Sequence, residues 1–561
     1  MKKVIPVIIA IVLLIIIGYM SFGKKIVDRY SYGTERADLN DYFKIYSSSD
    51  IPIILQDARI DVYAHKIDGV IYFDQSMIED YFTERFYVDT NENLLLYTMS
   101  DSTVSAELGG NTYTKDGETF TESYTTCLVK DDTLYIAADY LKKFVNFSYE
   151  VFSEPDHMQL YTEWGRKTVA DIKADTQVRW LAGVKSAILT DVAKDDVVEV
   201  LEVMDTWTKV KTKDSFIGYV ENSKLTNERF EDETPVKDAF SDELICLVRD
   251  HKINLTWHNI EFPQDGADLK QALANTRSVN VVSPTWYRLS DNDGNFKNVA
   301  NANYVDYAHS RGIEVWPLVS NLDYKVDLYE ILAYTSKRNK LVTELVADAV
   351  SRCADGINLD FENVPVAVST HYVQFVRELG VECHKYNLVL SVDNYVPTEY
   401  TAHYNRHEQA KFADYIIIMG YDEHYVGSDA GSVSSIPWME KGIKDTINYV
   451  PARQVINAIP FYTRVWTTKG NQVTSQAVTM EVSQNFLTKN KIKPVYDDAT
   501  KQNYGEVTIG KELWQVWLED ADSIKIRLNV MQAAGIAGVA SWKLGQETPD
   551  IWTVIEAYMN E

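Results

Sequence analysis

Eight short apolar runs alternate with stretches of helical periodicity in the C-terminal part of this 561-residue chain. Runs of this kind are typical of parallel strands that are buried on both faces. Alternation of strand and helix indicates a parallel sheet, and eight repeats indicate that the sheet closes into a TIM (β/α)8 barrel. We therefore assign residues 238–561 to one α/β barrel, with a small α+β insertion at about 467–530. The runs cover residues 253–258, 279–284, 314–320, 356–361, 389–393, 415–420, 455–460 and 535–542.

Two further folded regions are predicted before the barrel. Residues 51–165 contain short alternating runs separated by Asp-Gly and Gly-Gly turns, a pattern that indicates a strand-rich α+β domain. Residues 168–227 contain five short strands at near-regular spacing, which indicates a small β-barrel. The polar residues 23–50 are predicted to form a stalk, and the polar residues 228–237 a linker.

The N-terminal residues 4–22 form an uncharged run rich in Ile, Val and Leu, with lysines on both sides. About 19 residues with a rise of 1.5 Å each cover most of a ~30 Å hydrocarbon core. Because no small-x-small cleavage site closes the run, residues 1–22 are predicted to be an uncleaved transmembrane signal-anchor, with a cleaved signal peptide as the alternative. The bulk of the chain would then lie outside the cytoplasm.

The chain is strongly acidic, with 55 Lys and Arg against 82 Asp and Glu and a formal net charge of −27. Such a surface repels phosphate backbones, which argues against a nucleic-acid partner. The sequence contains neither a Cys-x-x-Cys pair nor a histidine cluster, and its cysteines are far apart, so it predicts neither a metal site nor a cofactor. The four cysteines are Cys127, Cys246, Cys353 and Cys383.

The fourth apolar run carries polar side chains on one face. Because strand side chains alternate, Asn358, Asp360 and Glu362 share a face, whereas Leu359 and Phe361 are expected to point toward the helices. Polar groups on a buried strand are costly unless that face is wet or functional. A carboxylate beside Glu362 would raise the pKa of its carboxyl and keep it protonated as a general acid. Same-face positions lie ~7 Å apart along one strand, so Asp360 is badly placed to attack across a substrate.

Polar and aromatic residues also follow most of the other predicted strands. In a (β/α)8 barrel the carboxyl ends of the strands meet at one face, and that face holds the active site. We therefore expect these residues to lie close together and to bind substrate. They are Trp257, Trp286, Asn321, Asn394, Tyr395, Tyr421, Asp422 and Trp542.

Three segments resemble a known enzyme family. Residues 355–362, Asp-Gly-Ile-Asn-Leu-Asp-Phe-Glu, resemble the D-G-x-D-x-D-x-E signature of glycoside hydrolase family 18. The Met-Gly-Tyr-Asp of residues 419–422 resembles that family's strand-six motif, and residues 538–545 resemble its strand eight. Within the family, the sequence is similar to the branch of bacterial spore-cortex and cell-wall N-acetylglucosaminidases.

The resemblance implies a mechanism in which the 2-acetamido oxygen of the substrate is the nucleophile. Glu362 would protonate the glycosidic oxygen, and Asp360 would orient the acetamide and stabilise positive charge. Tyr421 would donate to the acetamide oxygen, Asp422 would assist beside it, and Trp542 would form the floor under the sugar. The middle Asp of the signature is Asn358 here, whose amide cannot hold charge but can still hydrogen-bond Asp360. The family's third-strand Ser-x-Gly-Gly is replaced by the Leu-Val-Ser-Asn of residues 318–321.

The two N-terminal regions carry resemblances of their own. Residues 51–165 are similar to the small domain at the N-terminus of copper amine oxidases, without the histidines that copper chemistry needs. Residues 168–227 resemble the bacterial SH3-like domain, which implies contact with a cell wall.

These features together predict a membrane-anchored, extracytoplasmic glycosidase that cleaves β-1,4-linked N-acetylglucosamine in peptidoglycan. Chitin or a related glycan is the alternative substrate. The alternative function is that of a non-catalytic glycan-binding or wall-scaffolding protein on the same barrel. This alternative stays open because Asn358 stands where the family signature has an Asp. A third hypothesis is that the N-terminal regions alone act as adhesion modules.

Overall fold

The computed structural model describes residues 5–23, 25, 29, 31–47, 49–237, 239–322 and 325–561 of the chain. Parts of the predicted signal-anchor (residues 1–4), stalk (residues 24, 26–28, 30 and 48) and barrel (residues 238, 323 and 324) lie outside the described residues. The chain divides into two compact units. The first comprises Met1–Glu84, Ala106–Thr112 and Thr121–Ser241, and the second Arg85–Ser105, Tyr113–Phe120 and Asp242–Glu561.

The N-terminal run is helical. An α-helix covers Ile5–Gly18, and a π-helix follows over Tyr19–Gly23. In the part of the chain that the structure describes, no helix combines the length and the apolar character that crossing a membrane requires. The predicted transmembrane helix therefore has no support from the structure.

The first unit contains two seven-stranded sheets. In one of them Asp50–Leu55 pairs in parallel with His157–Tyr161, and the other neighbouring strands are antiparallel. Short helices cover Leu39–Phe43, Gln75–Tyr81 and Ala138–Leu141. The strand order is Ser148–Phe152, His157–Tyr161, Asp50–Leu55, Ala58–Ile67, Val70–Asp74, Thr133–Ala137 and Cys127–Lys130.

The other sheet of this unit is antiparallel throughout. Its apolar core includes Val178, Leu189, Val210 and Val220, and Trp207 is half-buried. The resemblances to a copper-amine-oxidase N-terminal domain and to an SH3-like domain, with their boundaries, stay predictions. The strand order is Ile188–Val192, Thr176–Arg179, Ile217–Glu221, Trp207–Lys211, Val197–Val203, Arg166–Ile172 and Leu225–Asp232.

The second unit is built around a closed barrel of eight parallel strands, which we number β1 to β8. Strand β8 pairs with both β7 and β1, and each remaining strand pairs with the next one along the chain, so the sheet has no free edge. The predicted barrel is thus confirmed. The strands are β1 Ile253–His258, β2 Val281–Pro284 and Tyr287–Leu289, β3 Glu314–Val315 and Leu318–Ser320, β4 Gly356–Asp360, β5 Val389–Tyr395, β6 Tyr415–Met419, β7 Val455–Pro460 and β8 Gly538–Trp542.

Strands β2 and β3 are each interrupted, which the sequence pattern does not predict. Pro284 ends the first segment of β2, and Pro317 lies between the two segments of β3. Proline has no N–H to donate to a neighbouring strand, so pairing lapses around it. The two segments of β2 still pair with the two segments of β3, and the barrel closes across both gaps.

Side chains alternate between two cores, as period-two strands require. Leu359 and Phe361 belong to the outer core with the helices, which confirms their predicted orientation. Inside the barrel lies a smaller core that includes Trp257, Trp316 and Tyr415. The helices around the barrel are Leu269–Ala272, Tyr304–Ser310, Leu328–Leu332, Thr335–Ser351, Ser369–Lys385, Arg406–Phe412, Ile436–Ile447, Ala521–Ala534 and Ile551–Met559.

An α+β element stands between β7 and β8. Its antiparallel sheet starts at Tyr462, two residues after the end of β7, and ends at Trp517, whereas the predicted extent is about 467–530. The first strand follows β7 so closely that the sequence reads as one continuous run. The element consists of strands Tyr462–Lys469, Gln472–Thr479, Val495–Asp497, Gln502–Ile509 and Glu512–Trp517 and helix Met480–Asn490.

A hairpin from the N-terminal half of the chain also belongs to the barrel unit. Asp89 Oδ2 accepts hydrogen bonds from the backbone N (2.7 Å) and Oγ1 (2.6 Å) of Thr335, the first residue of helix Thr335–Ser351. Arg338 of the same helix donates to the hydroxyl of Tyr87 (3.2 Å). The strands of this region are Phe86–Asp89, Leu94–Thr98, Thr103–Glu107, Thr112–Lys115 and Glu118–Thr121.

Candidate active site

A pocket of about 190 Å³ lies at the carboxyl ends of the barrel strands. Of the predicted site residues, it brings together Glu362, Asp360, Tyr421, Asp422, Trp542, Tyr395 and Trp257. The remaining lining residues are Leu322, Asp393, Met419 and Tyr462.

Glu362 lies two residues beyond the end of β4 and is held at three points. Asn321 donates from Nδ2 to the Glu362 carbonyl oxygen (2.9 Å), and its Oδ1 accepts from the Glu362 backbone N (2.9 Å). The Tyr395 hydroxyl donates to Glu362 Oε2 (2.7 Å). The position of the carboxyl group is therefore fixed before any substrate arrives.

The pKa of the Glu362 carboxyl is raised, chiefly because the side chain is largely buried. The hydrogen bond from Tyr395 opposes that rise, and the charge of Asp422 adds to it. A glutamate with a raised pKa keeps its proton closer to neutral pH, which is what a general acid requires.

Asp360, the last residue of β4, is 8% exposed. Burial raises the pKa of its carboxyl well above the ordinary value, and the charge of Glu362 raises it further. Its Oδ1 is buried and has no hydrogen-bond partner among the described residues. Buried polar atoms are nearly always paired in folded proteins, so this oxygen is suited to a donor supplied by a ligand.

Asn358 is fully buried below the pocket, and its amide orientation is set by donors. Trp257 Nε1 (2.8 Å) and Ser283 Oγ (3.1 Å) donate to its Oδ1. Its Nδ2 is then turned toward Asp393 Oδ1 (2.9 Å) and Ser391 Oγ (3.0 Å). The prediction that this amide bonds Asp360 is wrong, because its donors are used by strand β5.

Asp393 is the pocket-lining carboxyl that the sequence reasoning missed; Leu322, Met419 and Tyr462 of the lining were missed as well. It is 2% exposed, lines the pocket, and has a pKa raised well above the ordinary value by burial and then by the charge of Asp360. Alternation along β5 contains the signal, because an inward Tyr395 places Asp393 and Ser391 on the same face. The same alternation turns Asn394 outward.

The rim of the pocket is formed by β6, β8 and the start of the α+β element. The Tyr462 hydroxyl donates to Asp422 Oδ1 (2.5 Å). The rings of Trp257 and Trp542 are 5.8 Å apart at 60°, and Trp542 is partly exposed. Burial raises the pKa of Tyr421 well above its ordinary value, so its hydroxyl remains a hydrogen-bond donor.

Three predicted substrate-binding residues lie outside the pocket. Trp286 is fully buried, and its ring packs against Tyr304 (5.2 Å) in the outer core. Asn394 is also fully buried and donates to Gln409 Oε1 (2.7 Å). Asn321 uses its amide to hold the backbone of Glu362.

The arrangement combines an acid with a raised pKa at the rim, a carboxyl oxygen below it that has no partner among the described residues, and an indole ring at the side. These groups suit protonation of a glycosidic oxygen above an aromatic floor while a second carboxyl contacts a substituent of the same sugar. The carboxyls of Asp360, Glu362 and Asp393 reach the pocket from adjacent strands β4 and β5.

Known structures share this barrel. The crystal structure of a chitinase from Chromobacterium violaceum ATCC 12472 aligns with a TM-score of 0.50 at 24% sequence identity. The alignment covers 55% of this chain and 99% of that chain. At this identity the likeness shows the fold.

Curated relatives come from Bacillus subtilis (strain 168). The protein named "Uncharacterized glycosylase YvbX" is 24% identical over 292 residues, which are 49% of this chain and 84% of that protein. The protein named "Cortical fragment-lytic enzyme" is 25% identical over 273 residues, which are 46% of this chain and 63% of that protein.

The family model "Glycosyl hydrolases family 18" matches residues 265–547, about half of the chain. The matched segment contains β2 to β8, the α+β element and, apart from Trp257 on β1, every pocket-lining residue. The chain belongs to glycosyl hydrolases family 18, and it is a glycosidase.

Proposed function

We propose that the barrel hydrolyses β-1,4-linked N-acetylglucosamine glycans of peptidoglycan, with the substrate's acetamide oxygen as the nucleophile. The unpartnered Oδ1 of Asp360 carries this proposal, because it lies in the pocket beside the acid Glu362. An acetamide N–H is a donor of the right kind for that oxygen.

In the proposed reaction Glu362 gives its proton to the glycosidic oxygen while the bond from that oxygen to C1 breaks. The acetamide carbonyl oxygen attacks C1 and forms an oxazolinium ring, whose positive charge Asp360 stabilises. Tyr421 donates to the acetamide oxygen and helps to orient it. The carboxylate of Glu362 then takes a proton from water, which attacks C1 and restores the acetamide with retention of configuration.

The remaining pocket residues have positioning roles in this proposal. Trp542 provides an apolar face on which the sugar ring stacks, and Trp257 packs beside it. Asp422, held by Tyr462, accepts a hydroxyl hydrogen of the same sugar. Asn321 and Tyr395 keep Glu362 directed at the bond that is cleaved.

Peptidoglycan is the proposed substrate because a relative is named a cortical fragment-lytic enzyme. Chitin-like glycans are the alternative. A digest of purified peptidoglycan and of an N-acetylglucosamine oligomer, followed by mass measurement of the products, decides between them. Release of fragments only from the oligomer would contradict the proposed substrate.

We further propose that residues 1–22 hold the protein at a membrane, with the barrel outside, and that residues 168–227 contact the wall. The uncharged run of residues 4–22 and the strand pattern of residues 168–227 support these roles. Cell fractionation of the full chain and of a chain without residues 1–22 tests the anchor. Recovery of both in the same soluble fraction would contradict it.

The catalytic role is tested with Glu362→Gln. Removing the acidic proton should lower the release of reducing ends from peptidoglycan by at least a thousandfold (about 4 kcal/mol) while circular dichroism stays unchanged. Glu344→Gln, at an exposed position on helix Thr335–Ser351, is the matched control and should retain full activity. Turnover by Glu362→Gln at the wild-type rate would show that Glu362 is not the general acid.

A further inference from the structure

A second pocket, of about 460 Å³, adjoins the catalytic pocket and shares Asp422, Tyr462 and Trp542 with it. We call it the side pocket. Its other polar lining includes Arg464, Gln476, Lys543 and Gln546, from the α+β element and the segment after β8. Because the two pockets share these walls, the side pocket is next to the place where a sugar would stack on Trp542.

The side pocket contains two cationic side chains that form no ion pair with a carboxylate within the described part of the chain. Arg464 Nη1 makes one long hydrogen bond to Ser475 Oγ (3.3 Å), and its Nε is buried without a partner. Lys543 Nζ lies 5.8 Å from the Trp542 ring centroid. Among the ion pairs of the described residues neither side chain takes part, although the charge of Glu261 acts on Lys543.

Such an arrangement is unexpected in this chain, which carries 82 acidic residues and a net charge of −27. A buried N–H of a guanidinium is costly when it stays unpaired. Arginine binds planar carboxylates through two parallel hydrogen bonds, and lysine adds a point charge. A neutral oligosaccharide of N-acetylglucosamine offers these two groups no anion.

We propose that the side pocket binds a carboxylate carried by the glycan, so that the enzyme selects an acidic amino-sugar polymer over a neutral one. This inference rests on the proposed function. The carboxylate has two possible sources in peptidoglycan, the lactyl ether of N-acetylmuramic acid and the peptide attached to it. The buried Oε1 of Gln546, which has no partner among the described residues, suits a hydrogen bond from an N–H of the attached peptide, because a lactyl carboxylate has no donor to give.

The test compares three substrates: glycan strands without peptide, strands with peptide, and a neutral N-acetylglucosamine oligomer. In Arg464→Gln and in Lys543→Gln, the ratio of kcat/KM on the acidic strands to kcat/KM on the neutral oligomer should fall about tenfold. Lys525→Gln, at an exposed lysine of helix Ala521–Ala534, is the control and should leave the ratio unchanged. If the kcat/KM ratio falls on peptide-free strands, the bound carboxylate is that of the lactyl group. If it falls only on peptide-bearing strands, the bound carboxylate is that of the peptide.

Binding measured by calorimetry in a Glu362→Gln background separates this inference from the proposed function. In this background, Arg464→Gln should raise the Kd for acidic strands by a factor about ten times the factor by which it raises the Kd for the neutral oligomer. Added salt should bring these two factors closer together. The inference is overturned if the acidic-to-neutral ratio of kcat/KM and the acidic-to-neutral ratio of Kd both stay at the wild-type value while peptidoglycan is still cleaved. The proposed function then stands. If the Kd ratio changes but wild-type protein cleaves no strand, the proposed function fails and the side pocket stands.

Discussion

Asp393 on β5 and Glu408 on the next helix, Arg406–Phe412, are both buried carboxyl groups, but their partners differ. Asp393 is 2% exposed and Glu408 is fully buried. Glu408 accepts a hydrogen bond from Arg377 Nη2 (2.6 Å) and forms a second ion pair with Lys411. Asp393 faces the barrel interior, where the amide of Asn358 donates to it (2.9 Å).

The pKa values of the two groups move in opposite directions. Burial raises the pKa of Asp393 well above the ordinary value, and the charge of Asp360 adds to the rise. Burial also raises the pKa of Glu408, but Arg377 and Lys411 outweigh it, and the net pKa is lowered. Burial alone therefore does not decide ionisation. Cations accompany the carboxylate between the helices, whereas among the described residues no cation is paired with the interior carboxyls of Asp360 and Asp393.

The largest effect on this contrast is expected from Asp360→Asn, which removes an interior carboxyl. The kcat on peptidoglycan should fall about 100- to 1000-fold, because a neutral amide does not stabilise the positive charge of the oxazolinium. Thermal unfolding should stay close to wild type, since the replaced carboxyl has no hydrogen-bond partner at Oδ1. Asp306→Asn, on an exposed turn of helix Tyr304–Ser310, is the control. A kcat within threefold of wild type would exclude a role for Asp360 in the reaction.

Arg377→Met should show the reverse pattern: the free energy of unfolding should fall while kcat stays unchanged. It leaves Glu408 buried with Lys411 as its remaining ion-pair partner, and breaking a buried ion pair costs about 3 kcal/mol. Urea denaturation measures the loss, and kcat per folded molecule should not change. Exposed Lys525→Gln serves again as the reference. An unchanged unfolding midpoint would contradict the structural role of the pair.

The pH dependence of stability should distinguish the two carboxyls. Because the folded pKa of Asp393 is raised, its contribution to stability is complete below the ordinary carboxyl pKa of about 4 and is lost as pH rises through the raised value. Asp393→Asn should therefore gain about 1 kcal/mol over wild type at pH 8 and nothing at pH 4. Glu408 has a lowered pKa, so its contribution is present above the ordinary value and is lost as pH falls. Melting curves between pH 3 and pH 8 should thus show both variants departing from wild type toward pH 8, Asp393→Asn with higher stability and Glu408→Gln with lower stability, and approaching wild type toward pH 3.

The smallest effect concerns the match between Asn358 and Asp393. Asn358→Asp places a carboxyl oxygen against Asp393 Oδ1 where an amide donor stood, and it should cost about 1 kcal/mol at pH 8. Combining it with Asp393→Asn restores one amide and one carboxyl, so the double variant should be about as stable as Asp393→Asn alone. The double-mutant cycle is read from urea denaturation at pH 8. A double variant about 1 kcal/mol less stable than Asp393→Asn, as additive effects require, would show that the contact is not specific.

Patterns local to one strand were predictable from the sequence. Short apolar runs located the eight barrel strands, and period-two alternation within the fourth run gave the orientation of Leu359 and Phe361 and the shared face of Asp360 and Glu362. The prediction of both Asn394 and Tyr395 as site residues conflicts with this alternation, because neighbouring residues of β5 face opposite ways.

Contacts between strands could not be predicted from the sequence. The amide of Asn358 donates to a residue 35 positions away, and no spacing within β4 indicates that partner. The burial of Trp286 depends in the same way on packing with Tyr304. The extent of the α+β element was misplaced because Tyr462 continues the apolar run of β7.

The hairpin bearing Asp89 has a consequence for the order in which the chain folds on the ribosome. Asp89 is synthesised 246 residues before Thr335, whose backbone N–H it binds. At about 5–20 residues per second this interval lasts roughly 10–50 s, and in that time the hairpin has no helix to cap. The catalytic unit is thus completed by a piece made long before the barrel itself. An expression fragment that starts at residue 238 would lack this hairpin and should refold poorly, whereas one that starts at residue 85 retains it.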